Sequence, residues 1–223
     1  MPAATRDLRR EGFVRWGGVA LILWASHLLV RDFIWAFTHG TTEHYEGLRF
    51  LGLSSGHYAL VWPAFAPIGL IGLAAVFVRV SPRLGKIGSV GFVIALVGLA
   101  LYLIASVMQN WMGADFYSSM VLGGWLLSIL SVFVLALGLV LAGIDIHRAN
   151  ALPRGRLVVL IAGILLVPTL LLTGYIVGNS ENTLPWQLLY GGISVPYDLC
   201  WLWLGVLLLA RTPRTTDGSP AVG

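Results

Sequence analysis

Four stretches of the chain contain no Asp, Glu, Lys or Arg: residues 50–78, 87–114, 116–144 and 157–180. Each meets or exceeds the roughly 20 residues that a helix needs to cross the hydrocarbon core of a bilayer. The runs are continuously apolar rather than alternating with period two, which excludes the strands of a lipid-facing barrel. Two further apolar runs carry isolated charges, one around His27, Arg31 and Asp32 and the other around Asp198. The pattern predicts six helices, at about residues 13–37, 57–79, 87–109, 120–143, 156–178 and 187–210. The expected fold class is therefore all-α, a polytopic integral membrane bundle of six transmembrane helices.

The polar intervals supply an orientation. Arg6, Arg9, Arg10 and Arg15 open the chain, and Arg79, Arg83 and Lys86 separate the second and third helices. Arg148, Arg154 and Arg156 separate the fourth and fifth, and Arg211 and Arg214 follow the sixth. The alternate loops hold Arg49 with Glu43, Glu46, Asp115 and Glu181. Basic loops stay in the cytoplasm, so both termini are expected there. This organisation divides the chain into a cytoplasmic segment 1–12, a membrane domain 13–210 and a disordered cytoplasmic tail 211–223. The three basic turns each contain a proline, Pro82, Pro153 or Pro213. That suggests three related hairpins, although basic, proline-bearing turns are common between membrane helices.

Composition strengthens the picture. Of 223 residues, 57% are hydrophobic and 11% charged, whereas a soluble domain carries about a quarter charged residues. The net charge of +4 sits in the turns, where it reports orientation rather than nucleic-acid binding. Lys86 is the single lysine, an arginine bias that suits a GC-rich bacterial gene and a bacterial cytoplasmic membrane. Cys200 is the only cysteine, which excludes an intrachain disulfide. The first apolar run lacks a small-residue cleavage site and is expected to remain as a helix. The expected partners are the lipid bilayer, a second copy or another membrane protein, and a small-molecule ligand; no cofactor is expected.

Packing and chemistry are then sought on helix faces. In the third helix Gly88, Gly91, Ala95 and Gly98 form a small-residue ridge that lets backbones approach closely. The same stripe continues to Tyr102, Ser106 and Gln109, turning polar toward the outer side. Ionisable residues inside a membrane cost about 2.5–3.5 kcal/mol at its centre, so each requires a reason. His27 and Arg31 share a face of the first helix with Trp24 and Trp35, while Asp32 is expected to reach the outer interface. Asp198 lies deep if the sixth helix starts near Trp186, but in the first turn if it starts at Ser194. The candidate binding residues are His27, Arg31, Tyr102, Gln109 and Asp198, with Asp198 also the candidate acid for any catalysis.

Elsewhere the motifs are weaker. His39, Glu43, His44 and Glu46 share an outer loop, but their spacing matches no ligand motif, and no metal site is expected. Trp111, Tyr117, Trp186 and Tyr190 suit an interfacial aromatic belt. Asp145 and His147 suit a solvated helix end, and Pro63, Pro67 and Pro168 suit helix kinks. No phosphate-binding loop, His-Glu-x-x-His or nucleophile elbow occurs. Three functions remain open: binding or transport of a small solute or proton through a polar cavity in the outer half of the bilayer, a non-catalytic membrane subunit or scaffold, and a membrane enzyme using buried Asp198 on an isoprenoid-like substrate.

Overall fold

A computed structural model describes residues 3–38, 55–112, 119–178 and 184–210, with side chains described over 9–32, 63–112, 119–172 and 188–210. Apart from a single 3-10 turn, Ser81–Arg83, the regular structure of these residues is α-helical. The helices are α1 (Ala3–Thr38), α2 (Ser55–Val80), α3 (Lys86–Asn110), α4 (Ser119–Arg148), α5 (Val158–Gly178) and α6 (Leu184–Leu209). Five of them, all but α5, are long and apolar enough to cross a membrane; the described apolar run of α5, Val158–Leu172, is shorter. One boundary departs from the sequence expectation. The first helix was expected from about residue 13, yet α1 is helical from Ala3. Ala, Arg, Leu and Glu are good helix formers, so the helix extends backward through its charged flank. The tail 211–223 lies outside the described residues.

The helices pack in a ring in chain order, each against its sequence neighbours, and α6 closes the ring on α1. Outward faces stay apolar: Val90, Val93 and Val97 on α3 and Leu126, Leu130 and Leu137 on α4 are all half exposed or more. Rows of bare aliphatic side chains suit hydrocarbon, not water. Between helices the close approach comes from glycine. The most extensive seam joins α3 to α4. There a Cβ added to Gly98 would stand 2.7 Å from the Cα of Leu135, and one added to Gly138 equally close to the Cα of Ala95. The ring closure repeats the device: a Cβ on Gly18 would lie 2.9 Å from the Gly205 carbonyl, and one on Gly205 2.8 Å from that of Gly18. Lipid supplies no hydrophobic contrast between helices, so dispersion across such small-residue seams must hold them.

The basic turns gather at one end of this ring. Arg10 Nη2 donates at 2.7 Å to the Val78 carbonyl near the C-terminus of α2, where a cation is favoured. The α4 helix stops in a reverse turn: Asn150 adopts φ 47°, Asn150 N–H bonds the His147 carbonyl and Ala151 N–H the Ile146 carbonyl. Asn tolerates this left-handed conformation, and the two bonds satisfy terminal carbonyls of the helix. Trp203 of α6 donates to the carbonyl of Arg154 in the following turn.

Asp145, expected at a solvated helix end, has a definite task. Its Oδ2 accepts the amides of Gly85 and Gly88, at 2.7 and 3.1 Å. These are the N-cap and third-position amides of α3, whose own cap residue, Gly85, has no side chain to offer. The glycines are what let the carboxylate come this close. Asp145→Ala is expected to destabilise the fold by about 1–2 kcal/mol, as loss of an N-cap does. Thermal unfolding in detergent would check this, and an unchanged midpoint would remove the cap from the account.

Candidate functional site

The polar residues of α1 and α6 meet because the two helices run antiparallel. Gly18 packs on Gly205 and Leu208, whereas Ile22, one turn later on α1, packs on Gly205. Advancing along α1 therefore means going back along α6. On α6 the inward stripe is Tyr190, Ser194, Tyr197, Asp198, Trp201 and Leu204, all buried. On α1 it is Trp24, His27, Leu28 and Asp32, also buried, with Arg31 beside them.

Because α6 begins at Leu184, Asp198 stands in its interior, about 21 Å from its first residue by helical rise. The alternative start at Ser194 is not the one adopted. Asp198 is 0% exposed, and its carboxyl lies within electrostatic reach of both Asp32 and Arg31. The Arg31 Nε donates to Asp32 Oδ1, and the same guanidinium lies in the field of Tyr102 and Tyr190. The Asp198 and Asp32 carboxyls are in hydrogen-bond contact with each other, and Trp201 with the Tyr197 hydroxyl; Ser194 Oγ has no hydrogen-bond partner among the described residues. An orphaned buried hydroxyl of this kind is rare in folded proteins.

Of the sequence-derived candidates, the structure brings Arg31, Tyr102 and Asp198 together. His27 adjoins Arg31 and stacks flat on Phe65 of α2, with ring centroids 4.1 Å apart and planes 6° from parallel. Gln109 goes elsewhere. It packs against Gly124 of α4, roughly 10 Å up α3 from Tyr102 by rise. The stripe that looked continuous on α3 thus divides between two neighbours.

Two residues change role. Asp32, expected at the outer interface, is 2% exposed and bound to Arg31. The physical reason is that Asp198 and Arg31 make the interior locally polar, so the carboxylate gains more from the cation than from headgroups. Tyr190, expected in the aromatic belt, is buried and faces Arg31. Ser194 was not a candidate at all. The signal that marks both is spacing, since Tyr190, Ser194 and Asp198 recur every fourth residue.

The outer-rim loop residues His39, Glu43, His44 and Glu46, and also Asp115 and Glu181, lie outside the described residues. Among the described residues no group of three or more His, Cys, Asp or Glu converges to hold a metal. No protein-family model matches the chain, and neither a curated protein nor a solved structure matches it.

Proposed function

We propose that this chain is a six-pass membrane protein that binds a small solute or proton between α1 and α6 and carries it across the bilayer. The observation that carries the reading is Asp198. A carboxyl with no exposed surface is in hydrogen-bond contact with a second carboxyl already engaged by arginine. Ionisable groups held inside a membrane at such cost are characteristic of ion and proton pathways. The 21 residues of α5 rise about 31 Å, enough for a sixth span. The arginine-bearing turns then mark the cytoplasmic end, with both termini there, and the cluster falls in the outer half.

Pro196 removes one helical hydrogen bond between Gly192 and Asp198, loosening α6 beside the cluster. In vesicles containing the purified chain, Asp198→Asn is expected to lower Asp198-dependent proton or solute flux by about tenfold or more while the protein still folds. Equal flux in the two proteins rejects the proposal.

A second reading has one observation in its favour. The cluster lies on the seam that closes the ring, so it could serve only to lock α1 to α6 in a scaffold or subunit. That reading expects Asp198→Asn to reduce yield and leave the flux per folded molecule unchanged.

A further inference from the structure

A carboxylate only accepts hydrogen bonds, whereas a carboxylic acid also donates one. The contact between the carboxyls of Asp198 and Asp32 therefore contains a hydrogen that one of the two must supply. Charge gives the same count. Asp198 is 0% and Asp32 2% exposed, and the cation they share is Arg31. Two anions beside one guanidinium would leave a net charge away from water, which paired acids avoid by keeping one proton between them. The surroundings add no second cation to this balance. Facing Asp198 are Arg31 and Asp32 of α1, with Tyr197 and Cys200 of its own helix. Tyr102 of α3 and Tyr190 of α6 lie in the field of Arg31, and His27 adjoins that arginine from the side of Phe65. The described part of α5, Val158–Leu172, has no titratable side chain. That of α2 has Arg79 alone, in its last turn at the opposite end.

Arg31 Nε donates to Asp32 Oδ1, so Asp32 is the anion of the carboxyl pair and the hydrogen belongs to Asp198. We propose that the ligand of this cluster is a single proton, carried by Asp198 and held against Asp32, with Arg31 as the positioning residue that keeps Asp32 the acceptor. The inference rests on the binding role proposed above and names what is bound. Release leaves a carboxylate on Asp198 and one unbalanced charge in the interior, so the proton departs only when this part of α6 meets water. Asp198→Asn copies the loaded state, since its amide donates to Asp32 where the acid O–H did.

The test is infrared difference spectroscopy of the purified chain in lipid, between neutral and alkaline pH, read at the carbonyl stretch of an undissociated carboxylic acid. Wild type is expected to show that band at neutral pH and to lose it in alkali. Asp198→Asn should lack the band. Asp32→Asn should lose it at neutral pH as well, because a lone carboxylate can then pair with Arg31. Asp145→Asn, which alters the carboxyl that caps α3 outside the cluster, should keep it. A wild type without the band overturns the proton, as does a band that alkali leaves in place or that survives in both Asp198→Asn and Asp32→Asn. Vesicles holding the same proteins under a pH gradient alone separate this inference from the role it rests on. If the band is absent yet Asp198→Asn still lowers uptake of another solute, the proton is wrong and the carrier reading stands. If the band behaves as described but proton flux is equal in wild type and Asp198→Asn, proton binding stands and the carrier reading falls.

Discussion

Gly138→Leu is expected to be among the most damaging single substitutions in the chain, lowering the unfolding midpoint by roughly 6–12 °C or preventing recovery of folded protein. Even the first atom of the new side chain would stand 2.7 Å from the Cα of Ala95. Its neighbour is backbone, which no rotamer change can move aside. Overpacking of this kind costs about 1–3 kcal/mol and more when the seam must open. The seam in question, α3 on α4, is the most extensive in the fold. Gly192→Ala supplies the contrast. Its Cβ meets nothing within 4 Å, so alanine should be neutral or stabilise the helix by up to about 1 kcal/mol. Thermal unfolding of the two variants side by side decides the matter, and equal midpoints would mean that α3 and α4 are not in the described contact.

Arg31→Leu is expected to destabilise the protein by about 3–5 kcal/mol, because it strands two neighbouring carboxyls without their cation. The pair lies in the interior, with 14% of the arginine and 1% of the aspartate side chain exposed, so solvent screens it little. The double substitution Arg31→Leu with Asp32→Leu should recover much of that loss, since one carboxyl then remains instead of two. The comparison also separates lock from site. A double variant that folds well yet shows no Asp198-dependent flux means that the cluster is there to bind. If it folds well and carries flux at the wild-type rate, Arg31 and Asp32 serve only packing. An Arg31→Leu protein as stable as wild type would show that the buried pair is not formed.

Charge spacing made six helices readable before any fold was known. The uncharged runs and the Pro-Arg turns place α2 to α6 within a few residues of their observed limits, because the bilayer span sets a length that composition must obey. The ridge Gly88, Gly91, Ala95 and Gly98 was equally legible, since residues three and four apart share a helix face whatever the tertiary context. Asp145 was not. The amides it caps lie 60 and 57 residues earlier, and no local pattern announces a cap supplied by another helix.

The candidate site divides along the same line. Arg31 and Asp198 stood out because charge inside an apolar run is conspicuous on its own helix. Whether they meet depends on the register of α1 against α6, which is set by the Gly18–Gly205 contact and not by either segment alone. Asp32 and Tyr190 were assigned to the interface because depth along a helix was the only coordinate then in hand; their facing direction comes from the partner helix. Gln109 lost its place for the same reason, being claimed by Gly124 of α4.

The sequence alone therefore determined the helices, their apolar length and the concentration of arginine in alternate turns, all of which depend on local composition and one known thickness. Only the tertiary structure decided which helix closes the ring, which glycines admit a neighbour's backbone and which polar groups meet. Those outcomes depend on rotation and sliding between helices, to which periodicity within a single helix is blind.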